Sequence, residues 1–157
     1  MAIFGISYAL AAFPVLSDKA ANHDIKGFRL IFIEATTRVL LFIIPTAILF
    51  MILRAQIVRV LLGSSVLFDW TDTKYTAAAL GWLALGLIAE SLLPLLMRGF
   101  YSFNKTMTPL IVAICGNIIY VVGAVLLSKN LGVSGLTIAS VLSSFFQLGM
   151  LWSLLRL

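Results

Sequence analysis

Long runs of apolar residues alternate with short polar stretches along the whole chain. Five of these runs approach or reach the roughly 20 residues that a helix needs to cross ~30 Å of hydrocarbon. They cover residues 1–16, 31–53, 75–97, 108–128 and 132–155, of which the first is short. The pattern predicts an all-α, polytopic membrane helical bundle of about five transmembrane helices, forming a single membrane domain over residues 1–157.

The polar stretches predict how these helices are connected. Residues 17–29 read as a polar loop, in which Ser17 is placed to cap a short helix. Ile57, Val58 and Leu61 fall on one helical face, which predicts an interfacial helix at about 55–63. Gly132 favours a tight turn between the last two spans.

Composition points to lipid as the solvent of the apolar runs. Hydrophobic residues make up 62% of the 157 residues and charged residues only 11%, whereas a soluble domain has about 25% charged residues. The net charge is +5, but the basic residues are scattered singly and form no patch. We therefore expect membrane lipids as partners and no nucleic acid. Cys115 is the single cysteine, so an intrachain disulfide is excluded.

The positions of the basic residues predict the orientation of the spans, because cytoplasmic loops are enriched in Lys and Arg. One set of loops and helix ends contains Lys19, Lys26, Arg29, Arg38, Arg98, Lys105 and Arg156. The opposite set contains Arg54, Arg59, Lys74 and Lys129. The larger set is expected to face the cytoplasm, with the N-terminus outside and the C-terminus inside. An outside N-terminus directly on an apolar helix suggests a fragment of a longer chain.

A few polar residues lie at membrane depth. Glu90 has two interpretations: a protonated acid hydrogen-bonded to a neighbouring helix, or a cavity-lining group that senses protons, a cation or substrate. It precedes Arg98 by roughly two helical turns and is expected on the same face. Glu34 and Arg38 are spaced to form an ion pair. Asn117 and Gln147 are expected to form hydrogen bonds between helices.

The sequence lacks the motifs of common enzymes and metal proteins. It has no phosphate-binding glycine loop, no HExxH, no CxxC and no plausible Ser/His/Asp set. Its six acidic residues are dispersed, and His23 has too few potential ligands near it. We expect no enzyme, no catalytic residue, no cofactor and no metal site.

The stretch between the third and fourth spans resembles a motif of a known family. The residues RGFYS at 98–102 and TMTP at 106–109 are similar to the R-x-F-Y-(S/A)-x-x-D-T-x-T-P junction of the MurJ/MviN family. Four other stretches resemble motifs of that family in the same order along the chain: 13–17, 38–45, 57–63 with Phe68, and 132–139. The resemblance extends over almost the whole chain.

The resemblance implies a fold and a function. Members of the MurJ/MviN family are lipid II flippases of the MOP exporter superfamily, and this chain matches roughly helices 8–12 in the second of their two lobes. It implies translocation of the undecaprenyl-diphosphate-linked peptidoglycan precursor across the bacterial cytoplasmic (inner) membrane by alternating access. The implied partners are lipid II and the first lobe of the transporter.

Site residues follow from the same resemblance. Residues 98–109 are expected to form a cytoplasmic hinge loop that includes Phe100, Tyr101, Thr106, Thr108 and Pro109. In that loop Pro109 would start a helix, capped by Thr106 or Thr108. The candidate substrate or cavity residues are Arg98, Glu90 and Arg38.

Alternatives remain at this point. Arg98 is either a diphosphate-binding cation of an inward-open cavity or a positive-inside anchor. Pro94, Asn104, Lys105 and Glu90 depart from the usual family pattern. The chain could instead belong to a flippase for another polyprenyl-linked oligosaccharide, such as an O-antigen or capsule precursor. It could also be a non-transporting membrane scaffold derived from the family.

Overall fold

The computed structural model describes residues 2–62 and 70–155 and shows a bundle of α-helices there. The helices are α1 (Ala2–Ala21), α2 (Ile25–Leu62), α3 (Trp70–Ser102), α4 (Met107–Leu131) and α5 (Val133–Leu154). Within the described ranges, α2, α3, α4 and α5 are long and apolar enough to cross a membrane. The predicted all-α membrane bundle is confirmed. Helix α1, the short run of the sequence, is not among these four.

The helices extend beyond the predicted spans. Helix α2 has 38 residues and is therefore about 57 Å long, well beyond the ~30 Å of hydrocarbon. Residues 55–62 continue α2 without a break, so the separate interfacial helix predicted at 55–63 is instead the last part of α2. Gly63 and Phe68 lie outside the described residues. Hydropathy marks where a helix meets lipid, whereas propensity and capping decide where it ends.

The polar loop predicted at 17–29 is wrong in extent. Residues 17–21 continue α1 and α2 begins at Ile25, so only residues 22–24 connect the two helices. Ser17 lies inside α1 and does not start a helix. The polar composition suggested that the first helix ends at residue 16. Helix α1 instead continues to Ala21 and is closed by the left-handed residue His23.

The turns after α1 and α3 share one geometry. His23 and Asn104 have positive φ values of 53° and 56°. Each donates its N–H to the carbonyl three residues back, and the next residue donates to the carbonyl five residues back. This is the Schellman pattern, which satisfies the last carbonyls of a helix. The four bonds are His23 to Ala20 (3.2 Å), Asp24 to Lys19 (3.0 Å), Asn104 to Tyr101 (3.0 Å) and Lys105 to Phe100 (3.1 Å).

These two turns lie at the same end of the bundle, which we call the double-turn end. The Phe28 ring lies 4.7 Å from the Phe103 ring, and the Phe32 ring lies 6.4 Å from the Trp152 ring. The largest core cluster includes residues from all five helices, among them Leu16, Phe28, Leu95, Leu96, Phe100, Val112 and Leu151. Most of the large buried side chains therefore belong to this end.

Helix α3 contacts each of the other four helices. Its buried residues are small as far as Ala89 and mostly large beyond Ser91, towards the double-turn end: Ala77, Ala79, Gly81, Ala84, Gly86 and Ala89, then Leu92, Leu95, Leu96 and Phe100. Small residues allow helix backbones to approach closely in lipid, where packing replaces the hydrophobic effect as the driving force.

Close contacts through glycine recur at three positions between helices. A Cβ added at Gly5, Gly116 or Gly135 would collide with Ser91 of α3, Gln147 of α5 or Leu127 of α4. The Ser143 hydroxyl donates to the Gly116 carbonyl at 2.7 Å. This serine makes the hydrogen bond between helices that was expected of Gln147, which donates to Ser143 within α5 (3.3 Å). Asn117 is exposed on α4.

The reversal between α4 and α5 is made by a single residue. Gly132 has φ 56° and ψ −132°, and its N–H bonds the Ser128 carbonyl at 3.0 Å. A side chain is strained in this region, at a cost of about 1–3 kcal/mol. We expect Gly132→Ala to lower the free energy of unfolding by that amount, measured by SDS titration in mixed micelles with circular dichroism.

Gly149→Ala is the matched control. A Cβ would meet nothing within 4 Å at either glycine, but Gly149 has ordinary helical φ in α5. The control should therefore be neutral or stabilising, because alanine favours the helix by about 1 kcal/mol over glycine. Equal effects of the two substitutions would contradict the conformational role assigned to Gly132.

Candidate functional site

Glu90 lies on α3 in the middle of the membrane-spanning part, with its side chain exposed on the bundle surface. One carboxylate oxygen, Oε1, is 3.1 Å from the Ser144 hydroxyl on α5. The carboxyl also borders a cavity of about 280 Å³ between α2, α3 and α5, together with Phe50, Ser140 and Val141. Glu90 is therefore both a cavity-lining residue and a hydrogen-bond partner of a neighbouring helix.

Arg98 lies one turn before the end of α3 and is half-buried. Its guanidinium carbon is 5.6 Å from the ring centroid of Phe13 on α1, a cation–π distance. Within residues 2–62 and 70–155, no carboxylate lies within ion-pair distance of it. The Arg98 guanidinium is therefore partly shielded from solvent, and the aromatic neighbour that the structure gives it is the face of the Phe13 ring.

Arg38 lies on α2 and is exposed. It forms an ion pair with Glu34, one turn earlier on the same helix, and this confirms the pairing predicted from their spacing. The side chain of Tyr8 on α1 also interacts with the Arg38 guanidinium. Both arginines therefore have an aromatic neighbour on α1.

The residues of the predicted hinge loop are divided between two helices and the turn. The turn comprises residues 103–106, with Phe100 and Tyr101 still in α3 and Thr108 and Pro109 already in α4. Tyr101, Thr106 and Pro109 line one cavity of about 390 Å³ with Met97 and Leu110. Phe100 points away from it into the core.

The predicted cap of α4 is wrong in detail. Helix α4 begins at Met107, and Thr106 occupies the N-cap position without a side-chain hydrogen bond to the helix. Thr108 is inside the helix, so it is not the cap. Pro109 is the third residue of α4 rather than its first, and still lies in the first turn, where its missing N–H leaves no helical bond unmade.

The three candidate cavity residues do not form one site. Glu90 and Arg98 were expected on one face of α3, but Glu90 contacts α5 and Arg98 contacts α1. Eight residues at 3.6 per turn leave the two side chains about 80° apart around the helix. Arg38 belongs to a third location, at the contact of α2 with α1.

Sequence reasoning missed Ser144 and Phe13, the partners of Glu90 and Arg98. A signal for Ser144 exists: Ser143 and Ser144 follow Ser140 by about one turn in α5, which has no charged residue. Phe13 carries no comparable signal, because one aromatic in an apolar helix normally meets lipid or core. Within the described residues, no group of three or more His, Cys, Asp or Glu could hold a metal ion.

Comparison with known proteins identifies the family. A family model described as lipid II flippase MurJ matches residues 1–157. The chain belongs to the MurJ family. The family resemblance seen in the sequence is thus confirmed. MurJ membership, together with the four helices of the described ranges that are long and apolar enough to cross a membrane, makes the chain a multi-pass protein of the bacterial inner membrane.

Relatives of this chain are MurJ proteins of several bacteria. A probable lipid II flippase MurJ of Treponema pallidum (strain Nichols) is 26% identical over 156 residues, which are 99% of this chain and 30% of that protein. One of Rickettsia prowazekii (strain Madrid E) is 29% identical over 153 residues, 98% of this chain and 30% of that protein. The chain therefore spans about a third of the length of these MurJ relatives.

Asp24 fixes the start of α2 at the double-turn end. Its carboxylate accepts the Gly27 N–H at 2.9 Å and a hydrogen bond from Lys19 Nζ at 3.1 Å. These two bonds, that from Gly27 first, favour the ionised form and lower the pKa of Asp24 below its usual value. Gly27 permits the arrangement, because a Cβ there would collide with the carboxylate.

The lowered pKa of Asp24 predicts a pH dependence of stability. Since the pKa is lower in the folded chain than in the unfolded one, the ionised cap stabilises the fold above the unfolded pKa. This stabilisation is lost as the pH falls through the folded pKa. In Asp24→Asn the side chain still accepts the Gly27 N–H but does not titrate, so we expect a smaller loss of stability in acid.

The measurement is SDS unfolding of the wild type and of Asp24→Asn at neutral and at acid pH. The difference between the two chains should be greatest at neutral pH and should shrink on acidification. A difference that is independent of pH would contradict the role of the Asp24 carboxylate.

Proposed function

We propose that this chain is part of a lipid II flippase, which moves the undecaprenyl-diphosphate-linked peptidoglycan precursor across the cytoplasmic membrane by alternating access. The observation that carries the proposal is the match of the MurJ family model to the whole chain. The helical bundle agrees with it, because Glu90 and Arg98 lie on a helix that is long and apolar enough to cross a membrane. The proposed activity is transport rather than catalysis: lipid II is moved across the membrane and no covalent bond is made or broken.

The proposal requires a larger protein, of which this chain is one part. The chain spans 30% of the length of relatives named as lipid II flippases, and alternating access requires two bodies that rock about a central site. We infer that this chain supplies most of the second lobe and that a first lobe completes the cavity. The segments 1–16, 31–53, 75–97, 108–128 and 132–155 are the proposed spans, with the N-terminus outside and the C-terminus inside.

Arg98 is the proposed diphosphate contact of this lobe. Phosphate groups favour arginine because a planar guanidinium donates two parallel hydrogen bonds. Arg98 is half-buried and has no carboxylate partner among residues 2–62 and 70–155, so its charge is not already neutralised by an ion pair. Arg38 is a weaker candidate, because Glu34 occupies its guanidinium.

The residues around the α3–α4 turn are the proposed hinge. Tyr101, Thr106 and Pro109 border a single cavity at the double-turn end, and Phe100 anchors that end of α3 in the core. The Schellman turn at Asn104 lies between them. We infer that α4 moves relative to α3 about this turn, because the two helices make few other contacts.

A chimera tests the proposal. Residues 1–157 replace the matched segment of the Rickettsia prowazekii relative, and the chimera is expressed in cells depleted of their own lipid II flippase. We expect growth and appearance of lipid II on the outer face of the membrane. A chimera that inserts stably and leaves lipid II on the inner face would contradict the proposal.

Arg98→Ala in this chimera tests the diphosphate contact. A hydrogen bond to a charged group contributes about 1.5–3 kcal/mol, so the rate of lipid II translocation should fall roughly tenfold or more. Lys105→Ala is the matched control, since Lys105 is an exposed cation of the same end of the bundle. Equal rates for both variants would show that Arg98 acts only as a positive-inside anchor.

A further inference from the structure

Helix α4 is the least buried of the four described helices that are long and apolar enough to cross a membrane. Only 11% of its apolar stretch is buried, against 44% of that of α3. It packs on α5 and meets α3 at few positions. Most of the surface of α4 is therefore open to the surroundings of the bundle.

A row of side chains runs along this open surface, and we call it the α4 row. Its members are all β-branched and all between 52% and 58% exposed: Ile111, Ile114, Ile118, Val121 and Val125. They are spaced alternately by three and four residues, which is the spacing with which one helix packs along another. Because β-branched side chains have few rotamers to lose, packing against this row costs little conformational entropy. The row fits a further helix as well as it fits lipid.

Asn117 lies beside the α4 row and is exposed. Together with residues of the row, its side chain lines a shallow groove on the surface of α4. It is nine residues from Thr108 and eleven from Ser128, which bound the predicted span, and therefore roughly 14 and 17 Å from the two ends of that span. The carboxamide is thus close to the middle of the segment that crosses the hydrocarbon.

Three other polar side chains of α4 and α5 each have a hydrogen-bond partner. On the buried side, Ser143 donates to the Gly116 carbonyl at 2.7 Å and Gln147 donates to Ser143 at 3.3 Å. On the exposed side, the Ser128 hydroxyl donates to a carbonyl of its own helix at 3.4 Å. The Asn117 side chain has no hydrogen bond to any residue of 2–62 and 70–155.

The chemistry of the carboxamide indicates what would cover this surface. A carboxamide has N–H donors and a carbonyl acceptor, and acyl chains satisfy neither. Polar side chains at membrane depth usually face a partner rather than lipid. The matching partner combines an apolar surface along the row with a hydrogen-bonding group at the depth of Asn117. A membrane-spanning helix that carries one polar side chain meets both requirements.

The lengths of the relatives indicate where such a helix belongs. The matched segment makes up 30% of the MurJ proteins of Treponema pallidum and Rickettsia prowazekii, so the other 70% of each lies outside it. A helix of the same polypeptide is held beside α4 at a high effective concentration, whereas a second copy must reach it by diffusion.

We propose that the α4 row and Asn117 form a docking surface for a membrane-spanning helix from the rest of the full-length protein, and that Asn117 forms a hydrogen bond with a polar side chain of that helix. The inference rests on the proposed function, in which this chain is one part of a larger flippase. It adds which face of the chain contacts the remainder of that protein.

Photo-cross-linking in the chimera described above tests the docking surface. The photoreactive residue p-benzoylphenylalanine replaces Val121 of the α4 row or, as the matched control, Leu126. Both positions are exposed, at 57% and 61%, but they lie about 140° apart around α4. We expect position 121 to form a cross-link to the host-derived part of the same polypeptide, located by proteolysis and mass spectrometry, and position 126 to form mainly lipid adducts. Lipid adducts alone at position 121, or a covalent dimer of two copies, would overturn the proposal.

Asn117→Val tests the carboxamide through the sign of its effect. In residues 1–157 alone the side chain faces lipid or detergent, so valine should leave the SDS unfolding midpoint unchanged or raise it. In the chimera the same change removes a hydrogen bond and leaves its partner unpaired, so the midpoint should fall. Ser128→Val is the matched control, because that hydroxyl bonds its own helix and its loss should shift both midpoints equally. An equal shift of the two midpoints by Asn117→Val would refute the hydrogen bond to a docked helix.

Lipid II translocation, measured in the same chimera, separates this inference from the proposed function. Translocation combined with only lipid adducts at position 121 would overturn the docking surface and leave the flippase proposal standing. The expected cross-link in a chimera that does not translocate lipid II would support the docking surface and contradict the flippase proposal.

Discussion

Close packing of α3 against its neighbours is the constraint on which the rest of this structure depends. In a bilayer, contact between apolar side chains does not remove them from water, so helices associate through close van der Waals packing and occasional hydrogen bonds. The small buried residues of α3, such as Ala84, Gly86 and Ala89, permit that approach along the middle of the helix. Leu95 and Leu96 are buried in the core cluster at the double-turn end.

This arrangement places two polar groups of α3 against different helices. Glu90 is held by Ser144 of α5, and Arg98 lies against Phe13 of α1. Because α3 contacts all the other helices, a change at either group acts on a different helix pair. Pro94 lies between the two and removes one backbone bond of the same helix. The central helix thus connects the Glu90–Ser144 contact with a cation at the proposed cytoplasmic end.

Sequence alone predicted the helical membrane bundle, because lipid solvation requires long apolar runs and those are visible directly. It could not predict helix ends: residues 17–21 suggested a polar loop and residues 55–62 a separate interfacial helix, yet they continue α1 and α2. The left-handed residue that ends α1 is His23, which marks such a turn less clearly than a glycine does. The Gly132 turn was predicted, since glycine favours positive φ.

The sequence singles out candidate site residues, which stay a prediction, but it does not give their geometry. Arg38, Glu90 and Arg98 stand out because charge is rare in apolar runs. In the structure these three residues lie at three different contacts between helices. Which contact each residue joins depends on how each helix is rotated and on which helices pack against it, and a single sequence specifies neither. The partner of Glu90 is a serine, a residue too common in membrane helices to identify without coordinates.

The placement of the three turns tests the account most directly. In a Cys115→Ser background, single cysteines at Asn22, Lys105 and Val133, all exposed, are labelled with a membrane-impermeant thiol reagent in inside-out and right-side-out vesicles. The account predicts that positions 22 and 105 react from the cytoplasmic side and position 133 from the outer side. Reaction of positions 22 and 105 from opposite sides, or of 105 and 133 from the same side, would contradict it.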